Sequence, residues 1–432
     1  MTTALDRYRE SSRRRRVRAE RANYRLDVQG LRALAVLAVF AAHLWGWPRG
    51  GFVGVDVFFV IAGFFVTDGL LRTAGETGTL SLGRFYWDRL RRIVPAAAVV
   101  LALTFAASIY VLPPPGARDV GVDALFALAF LANWHFAAQG AYSATATDHV
   151  SPLQHYWPLS IEEQFYFVWP ALIFVISLIA VRWAWSRARW LLVTGAVMGV
   201  VVAASLGFAL YATAASPAWA FLNTFTRVWE LGVGALLATA TGALARIPAM
   251  LKPVLSWVGV GLIGAGMFLI GPDTGGFPAP WALLPVAGAA MVIAAGVGGE
   301  PILQGLLRNR ACTYLGDISY SLYLVHWPVI VLLGTMMATS AYYYATVLAL
   351  AFGLALALYH LVENPLRYAG RQRAREIREE IKHGLYIPER ATKVAVVTAL
   401  ALLALSLITY AMRPDAYEQG AHQPPAAVVH AR

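Results

Sequence analysis

The chain has 432 residues, of which 59% are hydrophobic and only 14% charged, with a mean hydropathy of +0.58. Soluble domains carry about 25% charged residues, so this composition excludes a soluble globular protein and points to a polytopic α-helical membrane protein. The formal net charge of +11 could serve an acidic partner, but the placement of the cations favours topology charges and no nucleic-acid partner is expected.

Residues 1–24 form an Arg-dense polar tail. It reads as a cytoplasmic anchor touching anionic lipid head groups. No cleavable signal is expected, because the first apolar run is followed at once by a second. Apolar runs lie at roughly 30–46, 52–71, 93–112, 119–136, 158–181, 190–212, 217–240, 253–271, 281–297, 318–337, 343–362 and 394–411. If 119–136 does not cross, the tail and the loops 72–92, 182–189, 241–252, 298–310 and 363–393 share one side and, with Arg25 beside the tail, hold 29 of the 35 Lys and Arg. That excess is the positive-inside signal. The segment 119–136 also carries Asp119 and Asp123, which suits a re-entrant or surface helix.

The expected fold class is therefore an all-α integral membrane protein. It is a bundle of about 11 transmembrane helices with one long external loop, about 113–157, between spans 3 and 4. The divisions are a basic tail at 1–24, a transmembrane domain at 25–368, a cytoplasmic amphipathic segment at 369–392, an extra span at 393–412 and an external disordered tail at 413–432. The N-terminus is expected in the cytoplasm and the C-terminus outside. The single cysteine, Cys312, permits no internal disulfide.

The stretch Arg25–Gly63 carries charges that do not belong in hydrocarbon: Arg32, His43 and Asp56. Such groups cost at least ~2.5–3.5 kcal/mol on insertion scales and mark functional sites by default. Arg32 and His43 are eleven residues apart. At ~100° and ~1.5 Å per residue they share one helix face and stand about 16 Å apart along the axis. His43, near the outer end, is the proton acceptor of the set, since an unperturbed imidazole titrates near ~6.5. A lone histidine there is more often a helix cap, but the company of Arg32 and Asp56 reverses those odds. Asp56 follows across a tight turn and is placed to orient the imidazole; the structural alternative is a pair with Arg49.

Further along, RFYWDRLRRIVP (84–95) crowds Arg89, Arg91 and Arg92 at the start of the third span. Arg forks bind phosphate bidentately, and Arg89 and Arg92 at i, i+3 share a face. HYWPLSIEEQFYFVWP (155–170) marks where the long external loop re-enters the membrane. An aromatic belt alone would be ordinary there. Joined to Ser160, Glu162 and Glu163, the aromatic faces suit a sugar, which nominates His155, Trp157, Ser160 and Tyr166 for acceptor binding. Arg227 and Glu230 are expected to pair with each other. In LGDISYSLYLVHWP (315–328), His326 reads as a satisfied core histidine rather than a cavity residue.

Taken together, YRLDVQGLRALAVLAVFAAH, GFVGVDVFFVIAGF, the RLRR motif, WPLSIEEQFY, ISYSLYLVHWP and VENPLR resemble the acyltransferase-3 family of integral membrane acyltransferases over about residues 24–370. These are proteins of the type that O-acetylates bacterial surface polysaccharides. The resemblance implies transfer of an acyl group, by default acetyl, from cytoplasmic acyl-coenzyme A to a hydroxyl of an envelope glycan or glycolipid outside the bacterial inner membrane. No metal is called for. By the same resemblance His43 is the catalytic histidine and Arg32 its motif partner. Arg89 and Arg92 bind the donor, and Glu162 is the acid of the fourth motif. Many relatives add an external hydrolase-like domain after an eleventh span, where this chain has about twenty residues. Many also read Trp-Ser-Leu where this chain reads WPLS. The competing reading is a transporter or flippase for an envelope precursor, which intramembrane Arg, His and Asp would serve equally well.

Overall fold

The computed structural model describes residues 24–77, 80–141, 150–368 and 390–411. The expected tails and amphipathic segment at 1–23, 369–389 and 412–432 lie outside the described residues, as does part of the long external loop, 142–149. Among the described residues every regular element is helical.

Helices α1 (Leu26–Trp45) and α2 (Gly54–Thr77) form the hairpin expected from the Arg25–Gly63 stretch. Gly46 ends α1 in the left-handed region, φ 67°, with its N–H closing on the Ala42 carbonyl. The chain continues through α3 (Leu82–Val111), α4 (Pro114–Leu128), α5 (Ala132–Ala138), α6 (Trp157–Arg182) and α7 (Arg187–Ala215). Then come α8 (Pro217–Leu222), α9 (Thr224–Thr239), α10 (Leu251–Leu269), α11 (Leu283–Ala295), α12 (Arg310–Asp317), α13 (Ser319–Met336), α14 (Ala341–Leu358) and α15 (Arg390–Ala411). Side chains supply many of the caps: the Ser81, Ser186, Asn223, Asn309 and Ser340 oxygens accept the first free N–H groups of α3, α7, α9, α12 and α14.

Among the described residues seven helices are long and apolar enough to cross a membrane, and there are eight if the pair α12–α13, bent by 68°, counts as one span. The other three expected spans are helical but shorter. The expected span 217–240 is broken at Asn223, whose extended backbone ends α8 and whose side chain caps α9. The segment at 281–297 yields only the 13-residue α11. In α15 the apolar part is Val394–Tyr410. The described part of the long loop after α3 is largely helical, as α4 and α5, with a turn at Phe130, φ 57°.

Helices α1 and α2 lie between two apolar cores. Val36, Val39, Phe40 and Leu44 of α1 pack into the first, with α3, α6, α13 and α14. Val28, Leu31, Ala35 and Ala38 pack into the second, with α9, α10 and α11. Helices α2 and α9 touch backbone to backbone. A Cβ on Gly63 would overlap the Leu231 carbonyl, and one on Gly234 would overlap the Val60 carbonyl. Close approach at small residues is how helices associate where lipid removes the hydrophobic drive.

Candidate functional site

Two cavities flank the middle of α1. A basic cavity of about 470 Å³ opens around its first half. A histidine cavity of about 330 Å³ opens around its last turns.

The basic cavity gathers Arg32 from α1, Arg89 and Arg92 from α3, and Glu162 and Tyr166 from α6. Tyrosines hold this arrangement. Tyr86 donates to the Phe167 carbonyl at 2.8 Å, Tyr156 to the Ala97 carbonyl at 3.3 Å and Tyr320 to the Ile93 carbonyl at 2.8 Å, stitching α3 to α6 and α13. The Arg89 guanidinium carbon sits 4.5 Å from the Tyr166 ring centroid. The Tyr166 hydroxyl donates to Glu162 at 3.1 Å. Arg91 leaves the group and pairs with Asp88. Of the three clustered arginines, the two at i, i+3 are therefore the ones that line the cavity.

In the histidine cavity, His43 Nδ1 lies 2.9 Å from His326 Nε2. The ring planes differ by 6° and their centroids are 5.2 Å apart, so the rings meet edge to edge in nearly one plane. His326 Nδ1 lies 2.6 Å from the Tyr323 carbonyl. A carbonyl only accepts, so that nitrogen carries the hydrogen. In a neutral ring Nε2 is then an acceptor, and the bond runs from His43 Nδ1–H to His326 Nε2. That tautomer leaves the lone pair of His43 on Nε2, ready to take a proton. Trp327 packs against His43 at 4.6 Å between centroids and donates its Nε1–H to the Ser151 carbonyl at 2.9 Å. His155 stands edge-on to His326 at 5.5 Å and donates from Nε2 to the Leu324 carbonyl at 3.0 Å.

Several expectations are corrected here. Asp56 does not orient His43, nor does it meet Arg49. It lies 3.0 Å from Arg227, which also holds Glu230 at 3.1 Å, and all three are buried. Asp56 points along α2 towards α9, and Arg49 pairs instead with Asp273. Arg227 is caged by Phe59, Trp157, Phe221 and Phe277, with centroids 5.2–5.7 Å away. Ser160 lines neither cavity; its hydroxyl accepts from Ala132 N–H and donates to the Tyr156 carbonyl, fastening α5 to α6. Tyr166 and Glu162 line the basic cavity rather than the one that holds His43, whereas Trp157 and His155 do line the histidine cavity.

His326 is buried with both ring nitrogens partnered, the satisfied core histidine expected, and the partner that the sequence does not reveal is His43. The signal for His326 was the LVHWP motif within the resemblance, but nothing local shows that a ring 283 positions away from His43 would touch it. Ser151, Asp123 and His135 also cluster. The Ser151 hydroxyl donates to Asp123 at 2.5 Å and His135 lies 2.8 Å from the same carboxylate, so the serine is not wired to the histidine as a nucleophile would be. Among the described residues no group of three or more His, Cys, Asp or Glu could hold a metal ion.

A family model described as an acyltransferase domain matches residues 24–360. The protein YrhL of Bacillus subtilis, provisionally named a peptidoglycan O-acetyltransferase, is 31% identical over 79% of the chain and 55% of its own length. The peptidoglycan O-acetyltransferase OatA of Listeria monocytogenes is 29% identical over 80% of the chain and 56% of its own length. The protein BcsY of Komagataeibacter xylinus, provisionally named a membrane-bound transacylase, is 31% identical over 79% of the chain and 82% of its own length. The chain thus spans just over half the length of the first two relatives. No solved structure matches it significantly.

Proposed function

The chain belongs to the family defined by this acyltransferase domain, and from that premise we propose that it is a membrane O-acetyltransferase of the bacterial inner membrane. It moves an acetyl group from cytoplasmic acyl-coenzyme A to a hydroxyl of an envelope glycan or glycolipid on the outer side. The observation that carries this reading is the back-to-back placement of the two cavities, one lined by Arg89 and Arg92 and the other by His43, whose ring is backed by the buried His326.

The basic cavity takes the donor. The phosphates of coenzyme A meet Arg89 and Arg92 in charge-assisted, forked contacts. The pantetheine arm runs past Arg32 towards the histidine cavity. There the acceptor hydroxyl approaches His43 Nε2, beside Trp157, whose face suits a sugar ring. His43 takes the hydroxyl proton as the oxygen attacks the thioester carbon. The new C–O bond forms, the C–S bond breaks, and the proton passes from His43 to the departing thiolate. His326 holds the imidazole in the reactive tautomer and accepts a stronger bond once His43 is charged.

The reading is tested in detergent-purified protein. Acetyl-coenzyme A should raise its Tm, and a peptidoglycan oligosaccharide should gain the mass of one acetyl group. Absence of both effects refutes the proposal. A transporter or flippase has no reason to be stabilised by the nucleotide.

A further inference from the structure

The two cavities share two lining residues, Val55 of α2 and Tyr323 of α13. Both are buried, and both are anchored. The Tyr323 hydroxyl donates to the His155 carbonyl at 2.6 Å, and the Tyr323 carbonyl accepts from His326. Val55 precedes Asp56, whose ion pair with Arg227 fixes that turn of α2 against α9. What the two chambers share is therefore a branched aliphatic side chain and a phenol ring, the ring anchored through its own hydroxyl and the valine carried on a turn that its neighbour Asp56 ties to α9.

We propose that Val55 and Tyr323 determine the length of the acyl group transferred. The inference rests on reading the basic cavity as the donor site and the histidine cavity as the acceptor site. Of these two cavities, Arg89 and Arg92 line the first and His43 the second. The thioester carbonyl must meet the acceptor oxygen at His43, so the acyl tail goes past this shared pair ahead of it. Every further carbon either presses on Val55 and Tyr323 or occupies the roughly 330 Å³ that the acceptor needs. An apolar constriction of this kind discriminates a single methylene by about 10–200-fold. Acetyl is the group that passes with least displacement of either wall, and the anchored hydroxyl of Tyr323 keeps the passage from widening on demand.

The experiment compares kcat/KM for acetyl-, propionyl- and butyryl-coenzyme A in the full-length purified protein, with a peptidoglycan oligosaccharide as acceptor. Val55→Ala removes two methyl groups from the wall and should raise the butyryl-to-acetyl ratio about tenfold or more. Tyr323→Phe keeps the ring but frees it from the His155 carbonyl, and should raise the ratio in the same direction. Val55→Leu should lower it. Thermal stabilisation by free coenzyme A, which carries no acyl group, is measured for each variant, so that weakened donor binding is not counted as altered selectivity. A ratio that stays at the wild-type value in all three overturns the inference while leaving the acyltransferase reading intact. Failure of the wild-type protein to transfer from any acyl-coenzyme A overturns that reading, and the inference with it.

Discussion

His43 Nδ1 and His326 Nε2 face each other across 2.9 Å in nearly coplanar rings, and the Tyr323 carbonyl fixes which of the two donates. On the proposed mechanism, a neutral imidazole does the positioning that a carboxylate does in other catalytic groupings. Removing His43 as His43→Ala should lower kcat by about 10²–10⁴-fold, the usual span for a general base. His326→Phe fills the space without offering an acceptor. It should lower kcat by about 10²-fold through misplacement of His43, with the donor KM unchanged. Steady-state kinetics of both variants, alongside coenzyme A-induced thermal shifts to verify folding, checks the pair.

Arg89 and Arg92 should behave differently. A hydrogen bond to a charged group contributes about 1.5–3 kcal/mol, so Arg89→Ala or Arg92→Ala should raise the donor KM by about 10–100-fold. The loss should grow at high salt less than it does at low salt, because exposed parts of the contact are already screened. Arg91→Ala, whose side chain pairs with Asp88, is the matched control and should leave donor KM near wild type. Isothermal titration with coenzyme A gives the same comparison without turnover.

The Asp56–Arg227–Glu230 cluster is a structural tie between α2 and α9. Arg227→Met strands two buried carboxylates in an aromatic cage and should destabilise the protein by about 3–5 kcal/mol. Adding Asp56→Asn and Glu230→Gln removes the stranded charge and should recover most of that loss. Chemical denaturation in detergent, read by loss of helical circular dichroism, measures both steps.

Ser160 marks the boundary of the site. Its hydroxyl is used twice within the protein, so Ser160→Ala should cost about 1 kcal/mol of stability and leave the KM for either substrate unchanged. A rise in acceptor KM alone would return this serine to the substrate site.

Much of this was legible in the sequence where the signal is local or periodic. The step of eleven positions from Arg32 to His43 puts both on the face of α1 that borders the two cavities, and the i, i+3 spacing singled out Arg89 and Arg92 from Arg91. The hydropathy runs located every helix that carries a site residue. What could not be read is which way a side chain turns once helices pack. Asp56 is close to His43 in sequence, yet the neighbour it meets is Arg227, because one residue of helical rotation sends Val55 towards the cavities and Asp56 towards α9. His326 lies too far along the chain for any spacing rule to join it to His43. The break at Asn223 was also hidden, since a long apolar run looks the same whether its backbone is continuous or capped midway.

The thinness of the wall formed by Val55 and Tyr323 has an energetic consequence for the cell. On the proposed reading, a nucleotide bearing several phosphates stays in the water it came from, and so does the sugar on the far face. Only a fragment of two carbons changes hands across the seal. The bilayer is never asked to admit an anion, and the ion gradients on either side are left undisturbed while the exchange takes place.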